Sequence, residues 1–258
     1  MQNRYAGDVG DFGKFALLRA LFRAPQYKIG VNWYLFPDES HNADGKHTTY
    51  LNDFEYLNCD SHLCELLSSV ASGNRTVAGL ESLNLLPSNT VYFSEVLNFH
   101  IRYPAQNKGD RVKRELERKA WLQNAKSTLA GCNVVFLDPD NGLEVSSCAK
   151  LSQKKAGKYI YYHEIKVLSE GKDTCIVYHH LNRHKNHGSH MNQIQHRTSE
   201  LREIINPTGK IFALRFKPYS PRAYFILTNS SLEVAIEEEI DGFMKSEYGK
   251  HWDTYHEG

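Results

Sequence analysis

The stretch that most constrains the fold is Asn133 to Leu137. Val134, Val135, Phe136 and Leu137 are apolar without alternation, and the chain passes from them straight into Asp138-Pro139-Asp140-Asn141-Gly142. A strand with no polar side must be covered on both faces, the situation of a central strand in a parallel sheet flanked by helices. The neighbouring periodicities agree. Asp11 to Phe22 sets Phe12, Phe15, Leu18, Leu21 and Phe22 at helical spacing ahead of Pro25, and Ile29 to Phe36 follows as a β-branched and aromatic strand closed by Pro37-Asp38. Helices are expected over 61–71, 110–129 and 191–205, with strands over 90–93 and 174–178. Two strands, 210–217 and 222–228, are joined by Pro218-Tyr219-Ser220-Pro221, short enough for an antiparallel hairpin, before an amphipathic helix over 232–244. Residues 75–86 read equally as helix or strand, and so do 158–168, where Gly171 favours a helix and the Tyr, Ile and Val content a strand. The alternation predicts one domain over 1–258. Its fold class is α/β: a three-layer, Rossmann-like, mostly parallel sheet with helices on both faces, a C-terminal antiparallel hairpin and one reversed strand at the edge.

Composition limits the function classes. A chain of 258 residues with 41% hydrophobic and 24% charged residues is neither a disordered nor a collagen-like polymer. Thirty-one basic against 30 acidic residues give a net charge of +1, which excludes a globally basic nucleic-acid coat and leaves only local charge to meet a charged partner. The five cysteines form no Cys-x-x-Cys pair and read as reduced packing residues. No run approaches the roughly 20 apolar residues that span a bilayer, and the N-terminal residues lack a signal peptide's apolar run, so the expectation is a cytoplasmic protein with no membrane partner. The oligomeric state leaves no mark in the sequence.

In parallel sheets ligands collect at the carboxyl ends of the strands. Three polar segments follow predicted strands there. Asp138, Asp140 and Asn141 head the first, and a buried strand that ends in carboxylates holds them rigid, as acid–base or polar-recognition groups need; Pro-Asp-Asn-Gly is equally good chemistry for a plain turn. The loop of residues 37–50 carries Asp38, His41, Asp44 and Gly45 where nucleotide-type cofactors are gripped, but with one glycine it has no G-x-G-x-x-G fingerprint. After residue 178 come His180, Asn182, Arg183 and Lys185, a mixture suited to phosphate and base edges. Ahead of all three, Gly7, Gly10 and Gly13 surround Asp11 and Lys14 at a helix start, either to admit a ligand to the backbone or to pack the helix closely on the sheet.

At these residues the layout resembles Rossmann-like S-adenosylmethionine-dependent methyltransferases, especially bacterial 23S rRNA adenine-N6 methyltransferases; the whole chain also looks like a largely uncharacterised conserved bacterial family. Tyr5, Gly10, Asp11 and Lys14 match the N-terminal helix of the former loosely, and Asp138-Pro139 match the start of its Asp-Pro-Pro-Tyr-type motif. Asp140-Asn141 stands where the family has Pro and an aromatic that stacks on a flipped base. The resemblance implies an enzyme that binds S-adenosylmethionine through Asp11, Lys14, Asp38, His41, Asp44 and Gly45. It would act on nucleic acid with Asp138 receiving the substrate amine and Arg183 and Lys185 holding phosphate. A second reading comes from Pro139-Asp140 followed by Glu164-Ile165-Lys166, the P-D…E-x-K order of Mg²⁺-dependent nucleases. Asp138, Asp140 and Glu164 would then hold the metal and Lys166 position the attacking water, which requires 158–168 to be a strand. A third is a non-catalytic nucleic-acid-binding module.

Overall fold

A computed structural model of the chain describes residues 1–40, 45–104, 107–183 and 187–255. The first helix, α1 (Val9–Leu21), is started by Asp8, whose carboxylate accepts the Gly10 N–H. It leads to β1 (Ile29–Asn32), shorter than the apolar pattern predicts, because Trp33 to Phe36 leave the ladder although all four are buried. Tyr34 takes φ of +43°, which turns the chain out of the strand. Next come α2 (Phe54–Ser72), kinked at Asp60, and α3 (Val77–Ser82), which resolves the 75–86 ambiguity in favour of helix. Then follow β2 (Val91–Phe93), α4 (Phe99–Arg102), α5 (Lys108–Thr128) and β3 (Val134–Leu137). Two short strands, β4 (Gly142–Leu143) and β5 (Tyr159–Ile160), pair with each other ahead of α6 (Tyr162–Ser169). The rest of the fold is β6 (Thr174–His180), α7 (His190–Ile205), β7 (Ile211–Phe216), β8 (Arg222–Thr228), α8 (Glu233–Lys245) and β9 (Trp252–Tyr255).

The main sheet has seven strands in the order β2-β1-β3-β6-β8-β7-β9. β2, β1, β3 and β6 pair in parallel, whereas β8 runs antiparallel to both β6 and β7, and β9 antiparallel to β7. The expected hairpin is present, but its reversed strand is not at the edge: β8 is inserted between β6 and β7, and a further reversed strand, β9, closes the sheet. The five-residue link between β7 and β8 permits only an antiparallel neighbour, and the apolar run of β8, buried on both faces, belongs inside the sheet.

Alternate residues of each strand separate two cores. Val134, Phe136, Ile176 and Tyr178 face α1, α2, α3 and α8; Val135, Leu137, Cys175 and Val177 face α5, α6 and α7. The polar composition of α5 has a specific reason: its inward row is Arg114, Arg118, Trp121, Leu122 and Ala125, so two arginines occupy positions that an ordinary amphipathic helix gives to apolar residues. From β1 the chain winds outward to β2 and returns across β1 to β3. The direction of winding therefore reverses between β1 and β3, the crevice where open α/β sheets receive ligands. No helix among the described residues is long and apolar enough to cross a membrane.

Candidate functional site

Asp138 follows Leu137 at the carboxyl end of β3 and points to the α1 side by strand parity. Lys14, on α1, meets it there with its Nζ 2.6 Å from Asp138 Oδ2 and 3.0 Å from Asp11 Oδ1. All three side chains are almost wholly buried. Asp11 is held in turn by the Gly7 N–H at 2.8 Å, donated from a backbone whose φ of +79° favours glycine. Burial alone would depress the Lys14 ammonium, but Asp138 and Asp11 outweigh it and its pKa is raised; burial pushes the Asp11 carboxyl up despite Lys14. The spacing of Gly10 and Gly13 is now explained by packing: a side chain at either would crowd Arg222 or Phe216 of the sheet.

This ion cluster forms the floor of a cavity of about 290 Å³ at the carboxyl edge. Its walls come from each of the segments singled out in the sequence: Lys14 and Asp11, the loop residues Gly45 and His47, Asp138 to Asn141, and His180 at the end of β6. The β7–β8 hairpin adds Ser220 and Arg222. Arg222 donates to Asp8 Oδ1 at 3.3 Å, while Asp8 also accepts the His47 N–H at 3.1 Å and so joins the loop to α1. On the far wall Asp140 accepts from Gln2 Nε2 at 2.8 Å and pairs with Lys158 at 3.1 Å; Lys158 also pairs with Glu39. Burial opposes ionisation of Asp140, but the Met1 amine and Lys158 outweigh it and hold its pKa below the ordinary carboxylate value. The Met1 amine donates to the carbonyl oxygens of Tyr34 (3.2 Å) and Asp138 (3.1 Å), so this residue lies in the crevice between β1 and β3.

Not every expected cofactor residue is there. Asp38 is exposed and accepts the Arg4 N–H at 3.2 Å, outside the cavity wall, and His41 and Asp44 lie outside the described residues. Gly45 is required by its own turn, at φ of +81° against Tyr5 and the Arg4 carbonyl. Sequence reasoning missed Gln2, Asp8, His47, Lys158 and Arg222 as site residues. Their spacing along the chain carries no motif, and only the fold makes them neighbours.

The nuclease arrangement is not assembled. Residues 162–169 are helical, with the preceding strand limited to 159–160, so the required strand is absent. Glu164 is wholly buried and committed to Arg118, which grips it through Nε (2.6 Å) and Nη2 (3.0 Å) and anchors on the Ala156 and Tyr159 carbonyls. It also accepts the Tyr161 N–H at 3.1 Å, capping α6. Glu164 is thus the partner that puts an arginine inside the α5 core, Lys166 is exposed, and neither lines the cavity with Asp138 and Asp140. Among the described residues no group of three or more His, Cys, Asp or Glu side chains is placed to hold a metal ion. Glu144, next to the carboxylates in sequence, accepts the Tyr162 N–H at 3.3 Å instead.

A second cavity, of about 610 Å³, opens on the opposite face of the same edge, between the end of β6 and α7. Asn141 and His180 border both cavities. Asn182 and Arg183 line the second together with Arg197 and His196 of α7, whereas Lys185 lies outside the described residues. The loop is fixed to α7 by Gln193, which accepts the Asn182 N–H and donates to its carbonyl oxygen, both at 2.9 Å. His179 is buried in the wall, and its Nδ1 accepts the Leu143 N–H at 3.1 Å. Burial, assisted by Arg197, pulls its pKa down to about 3, so the ring is neutral and carries its proton on Nε2. Gly142, at φ of +101°, is the residue that lets the chain pass this ring, since a side chain there would overlap the imidazole. The turn thus serves the site as well as the backbone.

No protein-family model matches the chain, and no curated protein matches it either.

Proposed function

We propose that the chain is a methyltransferase-like α/β enzyme that binds S-adenosylmethionine and acts on an amine in nucleic acid. One observation carries the reading: Asp138, fixed by Lys14, stands in a cavity beside the winding reversal of a sheet whose reversed strand β8 is inserted between β6 and β7. The cavity's complement suits a cofactor that carries a positive centre, an ammonium and a carboxylate: aspartates 8, 11, 138 and 140 would face the cationic groups, and Lys158 and Arg222 the carboxylate. Bound there, the cofactor would supply an electrophilic methyl group. Asp138 would accept a hydrogen bond from the substrate amine and aim its lone pair, while Lys14 holds the carboxylate in one rotamer; the protein's contribution is positioning. The cavity volume lies at the lower end of the roughly 300–1,000 Å³ usual for small-molecule sites, in keeping with a ligand gripped at one end and open to substrate at the other.

Calorimetric titration with S-adenosylmethionine and its demethylated product tests this. Saturable heat that disappears in Asp138→Ala is expected; no heat from folded protein refutes the cofactor assignment. A non-catalytic nucleic-acid-binding module is favoured by a different observation, that Met1 sits in the β1–β3 crevice and all four aspartates already have partners. That reading predicts no cofactor heat, with nucleic-acid binding whose salt slope falls in Arg183→Ala.

A further inference from the structure

We propose that the cavity on the α7 face is a binding site for a nucleoside monophosphate unit, with the phosphate on Arg197 and the His179 Nε2–H and the base against Tyr159 and the amide of Asn141. The inference rests on the nucleic-acid half of the reading above and is independent of the methyl donor.

Its chemistry differs from that of the neighbouring cavity. The acidic cavity has four aspartates in its wall; the described residues around the α7-face cavity include two arginines and four histidines and no carboxylate. A carboxylate stands beside this wall, Glu200, and it is paired with Arg197 at 2.7 Å and His196 at 3.5 Å. Volume separates the classes of anion: about 610 Å³ is far more than an isolated phosphate fills and sits within the range for cofactor-sized ligands. The wall is also mixed in the way a nucleotide needs, with Val145, Leu181 and the Tyr159 ring beside amides that can meet polar base edges.

His179 points independently to a ligand. It is 7% exposed, it lines the cavity, and its Nδ1 is taken by the Leu143 N–H. Its Nε2–H makes no hydrogen bond among the described residues and is not one of the buried unpaired atoms, so this edge of the largely buried ring is open to the cavity, where a ligand oxygen can accept from it. Arg197 is placed rigidly nearby: Nη1 donates to Glu200 at 2.7 Å and to the Tyr162 hydroxyl at 3.3 Å, so the guanidinium is held at the wall with further N–H groups to offer.

Binding of adenosine monophosphate, adenosine and inorganic phosphate is measured by calorimetry, and adenosine monophosphate is then competed against a labelled short single-stranded RNA. The expected result is saturable nucleotide binding about tenfold or more tighter than either fragment alone, the margin one charge-assisted hydrogen bond supplies. Arg197→Gln, which keeps donors to Glu200, should lower nucleotide affinity by a similar factor while barely changing adenosine binding, and thermal melts establish that it is folded. Competition with RNA identifies the unit as part of a strand; nucleotide binding without RNA binding identifies a free nucleotide, and both support the site. RNA binding that adenosine monophosphate neither reproduces nor competes with overturns this site and leaves the nucleic-acid reading standing. Absence of both overturns the two together.

Discussion

Replacing Lys14 by Met removes the one side-chain cation that stands between Asp11 and Asp138. At 2.6 and 3.0 Å, each contact is worth about 6 kcal/mol at an effective dielectric near 20, against a desolvation cost of several kcal/mol per buried ion. The raised pKa of Lys14 shows that the attraction exceeds the burial cost. Removing one partner of such a pair costs about 3–5 kcal/mol, because the carboxylates stay buried without compensation. At about 2–4 °C per kcal/mol the melting temperature should fall by roughly 6–20 °C. The pH dependence is a sharper check. In the variant Asp11 has a folded pKa above its unfolded one, as burial already imposes on it beside Lys14. Such a group contributes stability that is present below the unfolded pKa and is lost as pH rises, so the variant's deficit should shrink between pH 7 and pH 4. In the wild-type protein the contribution of Lys14 is fully present across this range, because its raised pKa means that it is lost only as pH rises above its unfolded value. Thermal melts of both proteins across this range, with the Asp11→Asn, Lys14→Met double variant recovering part of the loss, provide the measurement. A deficit below about 1 kcal/mol at pH 7 that does not narrow on acidification refutes the view that this cluster is a buried, mutually dependent unit.

Other substitutions separate scaffold from site. Glu164→Gln should destabilise by about 3–5 kcal/mol through the stranded Arg118 guanidinium, and Mg²⁺ should shift the melting temperature of the variant no differently from wild type; selective loss of a Mg²⁺ effect would restore the metal-ligand role denied to Glu164 here. Gly142→Ala should cost about 2 kcal/mol or more, since it forces a side chain into positive φ and against His179; an unchanged urea midpoint would show that the turn relaxes freely. Asp8→Ala should cost about 2–4 kcal/mol by uncapping α1 and stranding Arg222, whereas Asp8→Asn keeps the cap and loses less; equal losses would count against the ion pair. His179, with a folded pKa of about 3, contributes stability present above its unfolded value near 6.5 and lost as pH falls toward 3, and nitrogen chemical shifts should report a neutral Nε2–H tautomer at pH 5.

What could be read in the sequence was whatever rests on local periodicity. The strand at 134–137, the helix that follows Asp8, and the β7–β8 hairpin are set by runs of side chains whose spacing is itself the physical cause of the element. Two features were not legible for opposite reasons. Trp33 to Phe36 look like strand because they are apolar, but their burial comes from loops and helices around them rather than from a ladder. Arg118 looks like solvated charge because it is an arginine in a charged helix, and only Glu164, 46 residues away, makes its burial affordable. The carboxyl-edge site shows the same division: Asp138, Asp140 and Lys14 announce themselves, whereas Lys158 and Gln2, the side chains that hold Asp140, come from segments without a pattern.

The opposite charge of the two cavities follows from strand parity rather than from separate scaffolding. β3 and β6 run parallel with Leu137 beside Val177, so Asp138 and Tyr178 project toward α1 while Val177 and His179 project toward α7. Adjacent residues of one strand end thus serve two pockets, and Asn141 and His180, bordering both, form the ridge between them. An insertion of one residue after Val177 would shift everything beyond it: the Tyr178 phenol would take the place of the His179 donor beside Arg197, and the His179 imidazole would move to the α1 side. Either change buries a polar group without the partner it now has, so the register of β6 is enforced by both cavities at once. A ligand reaching across the ridge would then meet carboxylates on one side and guanidinium and imidazole groups on the other, the complement expected for a unit that carries an amine at one end and a phosphate at the other.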